Sequence, residues 1–236
     1  MKLIRRLINR LVGSRKTEAL IQFRRQWREE TRLDKIHHAG LAKLQVFDPS
    51  SPINLHVGCG NIYKQGWLNV DCYAIPPCTP DVTLDLRRPW PFPNGSCYQV
   101  YSEHVFEHIP FPTGASTFLA ESFRVLRPNG KITIGVPDPT IVLRAYLDQS
   151  PSPYFDYFNK SPYVERHLKS WPIEAVNWLF RQGGEHQFIY DFPALSELVG
   201  KAGFISIEQR DFDPAQDSPS RENQTIYLTA VKPDAS

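Results

Sequence analysis

A short apolar strand running directly into two glycines, Ile53-Asn54-Leu55-His56-Val57 followed by Gly58-Cys59-Gly60, constrains this chain more than any other feature. A backbone that must turn sharply after a buried strand, or let another group approach it closely, needs residues without a Cβ at the turn. The pattern downstream of that turn is one of short apolar strands separated by loops and helices. Strand segments are predicted at Trp67 to Val70, Val82 to Leu86, Tyr98 to Tyr101 and Ile132 to Val136. Between the last two, Phe118, Leu119, Phe123 and Leu126 recur at helical spacing over Ala115 to Leu126, and Arg127-Pro128-Asn129-Gly130 closes the helix. A strand, a helix, a turn and a strand in that order require a parallel pairing. A later helix carries Leu195, Leu198, Val199 and Ala202 and stops at Gly203, with strands near Phe204 to Glu208 and Thr225 to Val231. The expected class is α/β, with helices packed on a mostly parallel sheet.

The folded domain is expected to begin near residue 42, so that residues 1–41 form a basic helical arm and 42–236 one domain. In the arm, Leu3, Ile4, Leu7, Ile8, Leu11 and Val12 make one apolar face, with Lys2, Arg5, Arg6 and Arg10 between them, up to Gly13-Ser14. Such a face suits an anionic membrane surface, or packing on protein. A second helical stretch is expected to about Ile36, with Leu20, Phe23 and Trp27 on one stripe, before His37-His38-Ala39-Gly40 breaks it. The formal charge of the whole chain is only +2, so no nucleic-acid partner is expected. No apolar run is long enough to span a bilayer. The four cysteines lack CxxC spacing, which predicts neither a disulfide framework nor a zinc site. The expected location is cytoplasmic, with peripheral attachment at the inner membrane face through residues 1–13.

The glycine turn does not complete a dinucleotide fingerprint, because position 63 is Tyr and only six residues separate Gly60 from Trp67. The second strand ends in Asn69-Val70-Asp71 and the third in Asp85-Leu86. Carboxylates at the carboxyl edge of an α/β sheet can grip a ribose diol. A nucleoside site without a phosphate cradle points to a ligand with ribose, adenine and a cationic or zwitterionic tail, the parts of S-adenosylmethionine.

Leu55-His56-Val57-Gly58-Cys59-Gly60, Gly66-Trp67-Leu68-Asn69-Val70-Asp71, Asp85-Leu86, Ser102-Glu103-His104-Val105-Phe106-Glu107-His108 and Leu126-Arg127-Pro128-Asn129-Gly130-Lys131, in that order, resemble the class I S-adenosylmethionine-dependent methyltransferases. More narrowly they are similar to a bacterial type 11-like branch in which a short glycine loop replaces the first helix. The resemblance implies a Rossmann-like, mostly parallel sheet with helices on both faces and a C-terminal antiparallel edge. It implies that Gly58 and Gly60 approach the methionine portion of the cofactor and that Asp71 binds the ribose hydroxyls. Asp85 and Leu86 would flank the adenine, and Ser102, Glu103 and His104 would line the reactive side. His56, Cys59 and Cys72 complete the expected cofactor lining. His56 departs from the acid that many members carry there, and Cys59 is a space-filler without chemistry of its own.

His104-Val105-Phe106-Glu107-His108 also has the HxxEH spacing of a zinc hydrolase, in which two histidines ligate and the glutamate serves as base. Pro110 follows too soon for a metal-bearing helix, so no metal is expected. His104 is one candidate general base, and His186, beside Gly183-Gly184, is a second. Residues 139–190 interrupt the sheet pattern in a position that suits a lid over an acceptor, and most of their many Tyr, Phe and Trp side chains are expected to form the insert's own small core. By resemblance to a branch associated with cell-surface glycan synthesis, the acceptor is expected to be a small molecule or a saccharide, lipid-linked glycans included. The rival is a module that binds the cofactor without catalysis.

Overall fold

A computed structural model of the chain describes residues 14–44, 53–150, 155–156, 158 and 172–234. Seven strands form one sheet in the order β3-β2-β1-β4-β5-β7-β6. They are β1 Ile53–Val57, β2 Leu68–Asp71, β3 Val82–Thr83, β4 Cys97–Glu103, β5 Leu126–Pro137, β6 Ile205–Arg210 and β7 Thr225–Val231. The first five run parallel, and β7 is antiparallel to both β5 and β6. The expected mostly parallel sheet with a C-terminal antiparallel edge is the one observed. Strand order reverses between β1 and β4, which opens a crevice at the carboxyl ends of those strands.

The two faces of the sheet differ. Side chains alternate along a strand, and Leu55, Val57, Val100, Ile132, Ile134, Leu228 and Ala230 share the apolar core. Helix α2, Thr113–Val125, adds Phe118 and Leu119 to it, and α5, Phe192–Lys201, adds Leu195 and Val199. Burying a side chain of this kind contributes roughly 1.5–3 kcal/mol. The alternate residues are polar yet buried: His56, Asn69, Thr133 and Thr229, together with the aromatic hydroxyls of Tyr101 and Tyr227. Residues from two loops pack on them, with Trp67 edge-on to Tyr101 at 6.1 Å and Phe212 at 6.4 Å from Tyr227.

The long helix α1 spans Ser14–Leu44 and so runs through His37-His38-Ala39-Gly40, where the sequence reading ends it. Gly40 acts as a contact point instead of a breaker: a Cβ there would lie 1.7 Å from the Thr83 carbonyl oxygen. The missing side chain lets the helix lie against β3, and Thr83 Oγ1 donates to the Ile36 carbonyl at 3.3 Å. The Leu20, Phe23 and Trp27 stripe is exposed, Trp27 by 66%. The amphipathic segment 1–12 lies outside the described residues.

Strand β3 is shorter than the predicted Val82 to Leu86, because Asp85 turns away to meet Arg87 and Arg88. In the interrupting region, α3 covers Pro139–Leu147 and α4 Pro172–Arg181. Phe158 and Ala175 are buried with Phe155 and Trp178 against them, a small core of the region's own. Among the described residues no helix is long and apolar enough to cross a membrane.

Candidate active site

The turn after β1 is fixed by hydrogen bonds from both Gly58 N and Cys59 N to the Val70 carbonyl, at 2.7 and 3.1 Å. The two glycines serve different ends. Gly58 has φ of +73°, and a Cβ there would meet Val105 Cγ2 at 2.1 Å, so its bareness lets the loop pack on the segment after β4. Gly60, at φ +54°, has nothing within 4 Å of a Cβ position, and its N–H donates to Asp71 Oδ2 at 2.8 Å. Asp71 Oδ1 accepts from Tyr73 N at 3.0 Å. The carboxylate is thus aimed by two backbone donors while each oxygen keeps a lone pair for a further donor.

His56 is buried with Nδ1 at 3.0 Å from Asn69 Oδ1, and burial lowers its pKa to about 4. It is a neutral ring on the polar face of the sheet and supplies no acid. Burial pushes the Cys59 and Cys72 thiols well up from their ordinary value, and the Cys59 and Cys78 sulfurs lie 3.8 Å apart as free thiols. Neither Cys59 nor Cys72 is a thiolate at neutral pH. The Asp85 carboxylate is taken up by Arg87, whose Nε and Nη2 both donate at 2.8 Å. Burial would raise its pKa, but the Arg87 bonds outweigh that and lower it. Leu86 beside it is buried.

At the end of β4, Glu103 Oε1 accepts from Tyr227 Oη at 2.6 Å and from Ser218 N at 3.2 Å. Ser102 Oγ is buried without a hydrogen-bond partner among the described residues. His104 is held at φ +55°, with its N–H donating to the Gly135 carbonyl and its ring Nε2 2.8 Å from Thr225 Oγ1. Its Nδ1 lies 3.6 Å from Glu107 Oε1. Burial drives its pKa well below the ordinary histidine value.

Glu107 and His108 sit in a single 3₁₀ turn, Phe106–His108, which closes β4. The backbone carbonyl of Glu107 accepts from Gln187 N at 2.8 Å and draws in the segment carrying His186. The rings of His108 and His186 meet edge-on at 4.7 Å. Burial pushes the Glu107 carboxyl up to about 8 and lowers His108 to about 4; it lowers His186 as well. The structure therefore brings together the two predicted bases, His104 and His186, from segments 82 positions apart in the numbering, with Glu107 and His108 between them.

Sequence reasoning missed the loop after β6. Asp217 accepts from Arg210 Nη1 and Nη2 at 2.5 and 2.6 Å and from Tyr101 Oη at 3.0 Å. Lys64 Nζ stands 4.2 Å over the Tyr101 ring. Residues 61–65, Trp67 and residues 215–219 then line a cleft of about 480 Å³. The acids of Asp211-Phe212-Asp213 through Asp217 were the available signal, but no spacing rule joins them to Tyr101 on β4.

Residues 55–134 match the family described as a methyltransferase domain. No curated protein is matched by the chain. Among solved structures, a S-adenosylmethionine-dependent methyltransferase from Archaeoglobus fulgidus is 15% identical, with a TM-score of 0.49, covering 81% of this chain and 92% of that one. One from Methanosarcina mazei is 15% identical, with a TM-score of 0.47, over 78% of this chain and 94% of that one. Phospholethanolamine N-methyltransferase 2 of Haemonchus contortus, solved with phosphomonomethylethanolamine and S-adenosylhomocysteine, is 15% identical with a TM-score of 0.41. There the match covers 84% of this chain but 53% of that chain, so this chain spans about half the nematode enzyme's length. With the glycine turn, the acid at the end of β2 and the reversal of strand order in place, residues 55–134 are similar to a methyltransferase domain.

Proposed function

We propose that this chain binds S-adenosylmethionine at the carboxyl ends of β1, β2 and β4 and transfers its methyl group to a small-molecule or saccharide acceptor, lipid-linked glycans included. One observation carries the cofactor site: the Asp71 carboxylate is aimed by Gly60 N and Tyr73 N beside open space at Gly60. The cofactor supplies a methyl group already activated on a sulfonium, so alignment contributes much of the rate. Asp71 accepts ribose hydroxyls, and Leu86 offers an apolar wall to the adenine. Asp85 is committed to Arg87 and acts by shaping that wall. His56 is neutral and bonded to Asn69, so the ligand's amino group is held by other groups of the loop.

On the acceptor side, His104 and His186 are the candidate bases, since both are kept neutral by burial and lie at the carboxyl end of β4 or against it. The saccharide reading is supported by the resemblance to a branch tied to glycan synthesis. Isothermal titration of the full chain with S-adenosylhomocysteine should show saturable one-to-one binding; an absence of heat and of thermal stabilisation would overturn the reading. Incubation of cell extracts with radiolabelled S-adenosylmethionine then sorts acceptors. Label in the organic-soluble glycolipids supports the lipid-linked class, and label confined to the aqueous phase restricts it to soluble molecules.

A further inference from the structure

We propose that Glu107, His108 and His186 form a binding site for one divalent transition-metal ion, of the borderline class to which Zn²⁺ belongs. Each offers one ligand atom, and these atoms lie within 4.8 Å of one another. Ligand atoms bound tetrahedrally at about 2.0–2.2 Å to one ion stand roughly 3.3–3.6 Å apart, so side-chain movement of about 1 Å closes the set. Two imidazoles and one carboxylate suit such an ion, and the pattern leaves coordination positions open.

Three observations point to a cation here. Both Glu107 carboxylate oxygens are buried with no hydrogen-bond partner among the described residues. A carboxylate shut away from water in that state is costly unless an ion or a proton meets it. His186 Nδ1 faces the Leu179 carbonyl at 2.5 Å, and donation of its N–H there leaves Nε2 as the nitrogen with a free lone pair. A backbone carbonyl behind the ring is the outer arrangement that orients metal-binding histidines. His108 turns Nε2 toward Glu107 Oε1, at 3.8 Å, and its side chain is 30% exposed, which gives the ion a way in from solvent.

The ligand set is not the HxxEH triad read from the sequence. His104 has its Nε2 on Thr225, and the third ligand comes from His186 on the segment after α4. The ion would therefore tie the interrupting region to the end of β4, and with His186 Nε2 on the metal the base of the proposed reaction is His104. Its open positions suit an oxygen of the acceptor, hydroxyl or phosphate; that part rests on the methyltransferase reading, whereas the ion site does not.

The test is equilibrium dialysis of the full chain, stripped with chelator, against Zn²⁺ and separately Mg²⁺, with metal counted by mass spectrometry and thermal midpoints recorded. One Zn²⁺ per chain and a raised midpoint are expected, with Mg²⁺ far weaker. His186→Ala and Glu107→Gln should each weaken Zn²⁺ binding by more than the roughly 10–100-fold that loss of an outer partner brings. Cys59→Ser with Cys78→Ser should leave it unchanged, and so controls for Zn²⁺ taken up by those two neighbouring free thiols. Absence of stoichiometric Zn²⁺ binding, or wild-type affinity in His186→Ala, would overturn the proposal. Should Glu107→Gln fail to fold, His186→Ala and His108→Ala, on half-buried residues, still decide it. Titration with S-adenosylhomocysteine in His186→Ala and His108→Ala keeps the cofactor reading separate, because binding there should persist whether or not the ion binds.

Discussion

Replacing Asp71 by Ala removes a carboxylate whose two oxygens are each aimed by one backbone N–H, Gly60 at 2.8 Å and Tyr73 at 3.0 Å. An ionised carboxylate offers about four acceptor positions, and two are used internally. The remaining positions are those available to ribose hydroxyls. A hydrogen bond to a charged group is worth about 1.5–3 kcal/mol, so losing one should weaken S-adenosylhomocysteine binding by roughly 10- to 150-fold, and losing two by more. The substitution also frees Gly60 N and Tyr73 N, and some of the loss arises from loosening of the glycine turn. Asp71→Asn separates these effects: it keeps one acceptor for the turn but drops the charge, and its affinity should fall between those of the wild type and Asp71→Ala. The assay is calorimetric titration with S-adenosylhomocysteine, alongside far-ultraviolet circular dichroism and a urea midpoint. A folded Asp71→Ala chain that binds within twofold of the wild type would refute the assignment of Asp71 to the ribose.

Gly40→Ala should lower stability by about 1–3 kcal/mol, because its Cβ would overlap the Thr83 carbonyl oxygen. At an unobstructed helix position the same change adds about 1 kcal/mol, so a raised urea midpoint would count against the α1 contact. Asp217 is pulled down by burial being outweighed by its Arg210 bonds, so its folded pKa lies below the unfolded one. Its contribution is therefore complete above the unfolded value near 3.8 and fades as pH drops through the folded one. Urea unfolding from pH 7 to 3 should show a steeper acid loss in the wild type than in Asp217→Asn, and parallel curves would contradict it. Residues 1–13 should pellet the full chain with anionic liposomes in low salt, against a chain starting at Lys16; equal pelleting of both would remove membrane attachment through this segment.

The fold was legible where pattern and turn chemistry agree. The β1 strand with its glycine turn, the helix around Phe118 and Leu119 and the strand β7 follow from local periodicity and from Gly or Asn at positive φ, whereas the antiparallel direction of β7 was implied only by the family resemblance. Gly40 misled because a glycine has two meanings, a helix stop or a place for close contact, and only the neighbour Thr83 distinguishes them. Asp85 was readable as an acid at a strand end, but its partner Arg87 was not, since a charge two residues away is as often solvated as paired. His104, Glu107 and His108 stood out by spacing. That His186 would join them depends on the Gln187 hydrogen bond to Glu107, a long-range pairing no local pattern encodes.

Helix α1 touches the domain from Glu29 onward, through Tyr73, Arg87 and Arg88, while Leu20, Phe23 and Trp27 lie on the part beyond those contacts. At about 1.5 Å per residue, the stretch from Glu29 back to Ser14 projects roughly 22 Å as a continuous rod. Its azimuth is set by the anchored end: each residue advances the helix by about 100° but lengthens it by only about 1.5 Å. One residue inserted near Arg28 would swing the aromatic stripe to another side of the molecule while hardly changing its reach. Four residues would restore its direction nearly in phase, at a height about 6 Å greater. The helix thus works as a spacer in which direction and distance are coupled, and whatever the stripe meets is presented to the domain at a fixed angle.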